Sequence, residues 1–165
     1  MKYCERPFST VEEMDYTILE RFHEKIDSRD HLYVLGDFAF GSYSTVYKYV
    51  RRLPTKNVFL ILGNHDRLSV NQYKSAGFSW AKTYYELNVP LDIGGKKIPL
   101  FHYPMESWNG SFRGSWHLHS HTHNSMPDNP NKLRMNVGVD VTDFYPVNVS
   151  DVENFMAKKT PIFDC

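Results

Sequence analysis

The sequence predicts an α/β fold whose later part is partly antiparallel, in a single domain spanning residues 1–165. Three observations carry this. Short apolar runs alternate with helical patterns as far as about residue 76, the order expected of strands joined by helical crossovers. Beyond Trp80, strand-like runs follow one another with turn signals between them. A chain of 165 residues, 41% of them apolar and 15% aromatic, has enough material for one buried core.

Each element has its own signal. Ser9 and Thr10 with Glu12 and Glu13 form two overlapping capping-box candidates, and Val11, Met14, Ile18, Phe22 and Ile26 recur at helical spacing, predicting a helix over 10–27. The run His31-Leu32-Tyr33-Val34-Leu35 reads as the next strand. A second helix is expected from near Ser44 to before Pro54, because proline disfavours helix in the residue ahead of it, and Arg51 and Arg52 suit a helix C-terminus. Val58-Phe59-Leu60-Ile61-Leu62 is strand-like, and Ser69 to Ala76 reads as a short helix closed by Gly77. Trp80 to Leu91 predicts one strand, turned at Gly94-Gly95 into a hairpin with Lys97 to His102. Trp116 to Ser120 and Leu133 to Val139 are further strands, separated by the loop Pro127-Asp128-Asn129-Pro130-Asn131. Ser150 with Glu153 predicts the start of a last helix reaching about Lys158.

Charge and composition narrow the classes of partner. Nineteen basic side chains balance nineteen acidic ones, so no net field draws the chain to nucleic acid, and strong nonspecific binding is not expected. No apolar run approaches the roughly 20 residues that span a bilayer. Cys4 and Cys165 stand at opposite ends and imply no disulfide framework. With no signal-peptide pattern at the start, the expectation is two free thiols in a reducing cytoplasm.

The chemistry lies at the ends of the strand-like runs. Gly36-Asp37, Gly63-Asn64-His65-Asp66, His102 and His121-Thr122-His123 each follow such a run, and strand ends that meet along one sheet edge are where α/β proteins build sites. A carboxylate can bridge cations, imidazoles suit zinc, manganese, iron or nickel, and an amide oxygen adds a neutral ligand that preserves Lewis acidity. Bland readings stand beside these. Gly36-Asp37 also reads as a turn, Gly63-Asn64-His65-Asp66 as a turn with a helix N-cap, and His102 as a hydrogen-bonded core histidine. His117 and His119 share a face with His121 and His123 by alternation, and are read as structural.

Taken together, these pieces resemble the calcineurin-like metallophosphoesterase superfamily, whose pattern runs Asp-x-His, Gly-Asp, Gly-Asn-His-Asp/Glu, His and Gly-His-x-His. The order is the same. The closer likeness is to small stand-alone phage and bacterial members, through Lys2-Tyr3-Cys4-Glu5-Arg6-Pro7-Phe8, His102-Tyr103-Pro104-Met105 and Asn136-Val137-Gly138-Val139-Asp140. The resemblance sharpens the expected fold to two packed mixed β-sheets flanked by helices, an αββα sandwich. It implies a hydrolase acting on a phosphomonoester or phosphodiester by metal-activated water, with a small phosphate ester or nucleotide as partner in the cytoplasm of a bacterial or phage-infected cell.

The resemblance also assigns roles. Asp37 would bridge two cations, Asn64, His102 and His121 would complete one position, and His123 would serve the other. His65 would protonate the leaving group, with Asp66 orienting its ring. Two departures matter. The implied first strand, ending in Asp-x-His ahead of Lys2-Tyr3-Cys4, has no counterpart near Met1, and Ser120 stands where the pattern has glycine. The first strand is therefore expected to be missing, leaving an open edge at His31 to Gly36. One divalent metal rather than two is expected, since Asp37 and His123 alone are too few for a tight site. Two alternatives follow: a catalytically degenerate binding or scaffold protein on the same fold, or an enzyme in which Met1 is an internal methionine of a longer chain.

Aromatic residues of the loops around 38–43 and 103–114, Phe38, Phe40, Tyr43, Trp108 and Phe112, are candidates either to stack on a base or aryl group or to pack the loops. Arg67 and Arg113 have no motif behind them.

Overall fold

The computed structural model describes residues 6–90 and 95–162. Cys4, Leu91, Gly94, Cys165 and the Lys2 to Glu5 part of the opening motif lie outside the described residues. The elements run α1 (Val11–Lys25), β1 (His31–Val34), α2 (Tyr43–Val50), β2 (Asn57–Ile61), α3 (Val70–Ala76), β3 (Trp80–Lys82), β4 (Tyr84–Asn88), β5 (Lys97–Phe101), β6 (His117–His119), β7 (Arg134–Asn136) and α4 (Val149–Met156).

Helix boundaries follow the caps. Thr10 accepts from the Glu13 amide while Glu13 accepts from the Ser9 amide, which closes the first turn of α1. Ser69 and Gln72 form a reciprocal box that starts α3, and Gly77 ends it. The start of α4 differs from expectation. Asn148, not Ser150, is its cap, paired with Asp151, because the helix begins two residues earlier and asparagine caps at least as well as serine.

Strands β1, β2 and β3 form a parallel sheet in that order. The second sheet has the order β4-β5-β6-β7, with β4 and β5 antiparallel and β5, β6 and β7 parallel. Only the second sheet is mixed; the first is wholly parallel among the described residues. There β1 has one neighbour, β2, and its Leu32, Tyr33 and Val34 are half-buried. The single strand expected over Trp80 to Leu91 is two strands. A break at Thr83 lets the chain leave the first sheet as β3 and enter the second as β4, a change of partner that alternation does not record.

Alternation along the strands then divides the apolar side chains between two cores. Leu32, Val34, Val58, Leu60 and Ala81 face Leu19 and Phe22 of α1, Val46 and Val50 of α2, and Tyr73 and Ala76 of α3. Leu35, Ile61, Tyr33 and Trp80 face the other way, onto Ile98, Leu100, Leu118 and Met135 of the second sheet and Val152 and Met156 of α4. The central strand β2 thus contributes to both cores, and the C-terminal ends of β1, β2, β5 and β6 are the ends that carry the motifs.

Leu60 is completely buried between helices and sheet. Leu60→Ala is expected to cost about 2–5 kcal/mol of unfolding free energy in a denaturant titration, the range for a leucine truncated in a packed core. A loss under about 1 kcal/mol would show that the helical layer does not pack on β2 as described.

Candidate metal centre

Backbone geometry at the strand ends comes first. Past β1, Gly36 has φ +91 and Asp37 φ +55; past β6, His121 has φ +62 and His123 φ +46. Left-handed backbone costs a non-glycine residue about 1–3 kcal/mol and persists only where surroundings enforce it, and such residues gather at functional sites. Only five described non-glycine residues have positive φ, and three are motif residues of the strand ends. Ser120 is not one of them, so its place in the glycine position of the pattern needs no special backbone. Its hydroxyl instead donates to the Leu35 carbonyl and lies 3.1 Å from His102 Nδ1.

Close approach explains the glycines. A Cβ on Gly36 would overlap His102 Nδ1 and sit 2.8 Å from Gly63 Cα, and a Cβ on Gly63 would overlap Asp37 Oδ1 and sit 2.6 Å from its amide nitrogen. The loops after β1 and β2 therefore pack backbone on backbone.

Asp66 fixes that packing. Its Oδ2 accepts from the amides of Asp37 at 2.7 Å and Gly63 at 2.8 Å, and its Oδ1 from the Phe38 amide at 3.2 Å and the Tyr73 hydroxyl at 3.3 Å. This corrects the role expected of Asp66. Among the described residues no hydrogen bond joins it to the His65 ring, because both oxygens are committed to holding the two loops together.

His102 is 1% exposed. Its Nδ1 lies 2.7 Å from the Leu35 carbonyl, which can only accept, so Nδ1 carries a proton and Nε2 is left for the site. Around Nε2 stand Asn64 Oδ1 at 3.0 Å, His121 Nδ1 at 3.2 Å and Asp37 Oδ2 at 3.5 Å. Ligating atoms of Asp37, His102 and His121 all lie within 4.8 Å of one another. A tetrahedral zinc with bonds near 2.1 Å would set its donors about 3.4 Å apart, close to the 3.0, 3.2 and 3.5 Å that separate Asn64, His121 and Asp37 from His102 Nε2.

The electrostatics point the same way. A carboxylate, an amide oxygen and two imidazole nitrogens converging on one place favour a positive charge there, a proton on His102 Nε2 in the metal-free chain or a cation in its stead. Burial alone would lower the His102 pKa, but hydrogen bonds with Asp37 and the Leu35 carbonyl outweigh it and leave it raised. Burial would likewise raise Asp37, yet His102 and the His65 amide, which donates to Asp37 Oδ1 at 2.9 Å, hold it below the usual carboxylate range. Burial and then the neighbouring His102 lower His121. The donor set fits a divalent transition metal.

The other sequence candidates divide clearly. His65 is exposed, with its ring 4.9 Å from that of Phe40. His123 stands outside the cluster, its Nδ1 2.7 Å from Asp140 Oδ2. His117 and His119 are buried and structural: His117 Nδ1 faces the Pro99 carbonyl and its Nε2 accepts from the Met105 amide, while burial pushes His119 down to about 4. Phe38 packs on Phe78, Tyr43 joins the helical core and Trp108 is buried with its indole on the Ser115 carbonyl. Phe40 and Phe112 remain 71% and 62% exposed. Sequence reasoning missed Ser120, whose hydroxyl bond to a residue 85 positions away has no local signature.

Asp66→Asn would turn an amide NH₂ against backbone donors. The expected result is a loss of about 1–3 kcal/mol in unfolding free energy, with metal affinity falling as Asp37 is released. Were stability unchanged and turnover alone reduced, Asp66 would act on His65 instead.

Comparison with known proteins agrees with the geometry. The chain is 28% identical over 164 residues to the uncharacterized protein MJ1445 of Methanocaldococcus jannaschii, covering 96% of this chain and 84% of that one. Its fold is similar to the crystal structure of AQ665, a protein of unknown function from Aquifex aeolicus, with a TM-score of 0.65 at 21% identity over 90% of this chain and 88% of the other. Among the described residues no helix is long and apolar enough to cross a membrane. The family model of the calcineurin-like phosphoesterases matches residues 12–141, and with Asp37, His102 and His121 gathered at one point inside that span, the chain belongs to that family.

Proposed function

We propose that the chain is a metal-dependent hydrolase of phosphomonoesters or phosphodiesters. The observation that carries this reading is the convergence of Asp37, Asn64 and His121 on the buried Nε2 of His102. Those four residues would hold the cation, of manganese, zinc, iron or nickel type. Such a cation, when bound, polarises the phosphoryl group and activates the attacking water.

The protein's own contribution is placement. Asp66 fixes the loops that carry Asp37 and Asn64, and the Leu35 carbonyl fixes the proton of His102 on Nδ1. His65 follows the ligand Asn64, is tied to Asp37 through its amide, and keeps an exposed ring. It is not needed to hold metal. Its use is to give a proton to the departing alkoxide oxygen. Because the described cluster comprises one set of donors, about one metal per chain is the expected stoichiometry.

Elemental analysis after dialysis against zinc or manganese tests the site. About one ion per chain is expected, falling to near zero in His102→Ala. A folded chain that takes up no ion would sink the enzyme reading and favour a binding or scaffold role on the same fold.

His65→Ala is expected to slow a phosphodiester with a poor leaving group by about 10²- to 10⁴-fold, the usual worth of a general acid, while a nitrophenyl ester, whose leaving group needs no proton, is affected far less. Equal losses on both esters would mean that His65 orients phosphate or metal rather than donating a proton.

A further inference from the structure

Two sequence motifs have no part in the function proposed so far, Arg6-Pro7-Phe8 and Asn136-Val137-Gly138-Val139-Asp140, and in the structure they meet at His123. Arg6 grips Asp140 with a two-pronged bond, Nε to Oδ1 at 2.6 Å and Nη2 to Oδ2 at 2.9 Å. The Asp140 side chain is only 6% exposed, and its Oδ2 also meets His123 Nδ1 at 2.7 Å. Asn136 holds the same histidine through the backbone, its amide donating to the His123 carbonyl at 2.7 Å while its Oδ1 accepts from the Gly138 amide at 2.9 Å.

A buried carboxylate against a histidine allows two roles, ligand or positioning group. Arg6 decides between them. Both oxygens are engaged by the guanidinium and one is shared with His123, so the carboxylate is fixed by protein groups on both oxygens, which favours the positioning role. An ionised carboxylate only accepts, so its bond to His123 requires the proton on Nδ1 and leaves Nε2 as the ring's bare nitrogen. Histidines that bind metals are commonly oriented by such a carboxylate through their other nitrogen, which fixes the tautomer and raises ligand basicity.

We infer that Asp140, anchored by Arg6, is a positioning residue that holds His123 in its Nδ1-protonated form with Nε2 presented as a metal ligand. The metal half of the inference rests on the metal-dependent reading above, with His123 serving a second, weaker position beside the one ion held by Asp37, Asn64, His102 and His121; the tautomer does not depend on that reading. It gives the opening motif a purpose in the site, since Arg6 reaches Asp140 across 134 residues of sequence.

The test uses the full chain and two readouts. In the metal-free protein, the ring ¹⁵N shifts of neutral His123 are expected to show Nδ1 protonated. Asp140→Ala should shift the ring towards the Nε2-protonated form, and Asp140→Asn, whose amide oxygen still accepts, should restore the native form. Wild-type His123 protonated on Nε2 overturns the proposal, and that measurement needs no variant to fold. So does a folded Asp140→Ala that keeps the native tautomer. In titrations with zinc, Asp140→Ala is expected to weaken by about 10- to 100-fold the same binding step that His123→Ala weakens or removes, with Asp140→Asn losing less. A step lost in His123→Ala and intact in Asp140→Ala overturns the positioning role. If His123→Ala changes no step, the ligand assignment falls and takes the metal half of the proposal with it, whatever the ring spectrum shows.

Discussion

The structure turns on one buried imidazole. His102 lies at the end of β5 in the second sheet, and its Nδ1–H is bound to the carbonyl of Leu35 at the end of β1 in the first. Ser120, at the end of β6, reaches the same carbonyl with its hydroxyl and donates its amide to the His102 carbonyl at 3.0 Å. Three strand ends from two sheets are thereby tied at one place. A polar group this deeply buried is tolerable only when satisfied, and satisfying one ring nitrogen with a carbonyl leaves the other as a lone pair aimed out of the core. The fold and the site are thus not separable here: the bond that joins the sheets is the bond that turns Nε2 towards the cluster of Asp37, Asn64 and His121.

Around that ring the chain accepts strain. Asp37, His121 and His123 occupy left-handed backbone without being glycine, and Gly36 and Gly63 are packed too closely to tolerate a side chain. Such an arrangement needs a local source of stability. Asp66 supplies it by accepting four hydrogen bonds, three from backbone amides of the strained loops. Hydrogen bonds to a charged group are worth roughly 1.5–3 kcal/mol each against about 1 for neutral pairs, enough to offset the strain at Asp37. That is why the carboxylate following His65 serves the scaffold, although its position in the motif suggests a partner for the histidine.

Much of this is legible in the sequence, for physical reasons that differ by residue. Helices announce themselves through caps and 3.6-residue spacing, so α1, α2 and α3 fall close to where Thr10, Ser44 and Ser69 suggest. The metal candidates Asp37, Asn64, His102 and His121 were readable because strand ends concentrate function and because motif order survives folding. What was not readable is whatever depends on distant partners. The break at Thr83 changes which sheet a strand joins without disturbing its alternation, so Trp80 to Leu91 looked like one strand. Asp66 could equally have faced His65 or the backbone. The orientation of the His123 ring depends on Asp140 and Arg6, which no local spacing connects to it.

The site therefore has a rigid back and an open front. His102 is sealed in the core and the loops behind it are pinned by Asp66, whereas Asn64, His65 and His121 are exposed and Phe40 stands uncovered beside the His65 ring. A closed, fully shielded ion site would suit a structural metal; candidate donors that face solvent on one side leave a position open. The division also locates specificity. Gly36, Gly63, Asp66 and His102 at the back can vary little, because each is locked by a backbone bond or a close approach. Phe40 in front stands exposed, so a change there need not disturb the back wall, which is one way a single fold comes to host many functions.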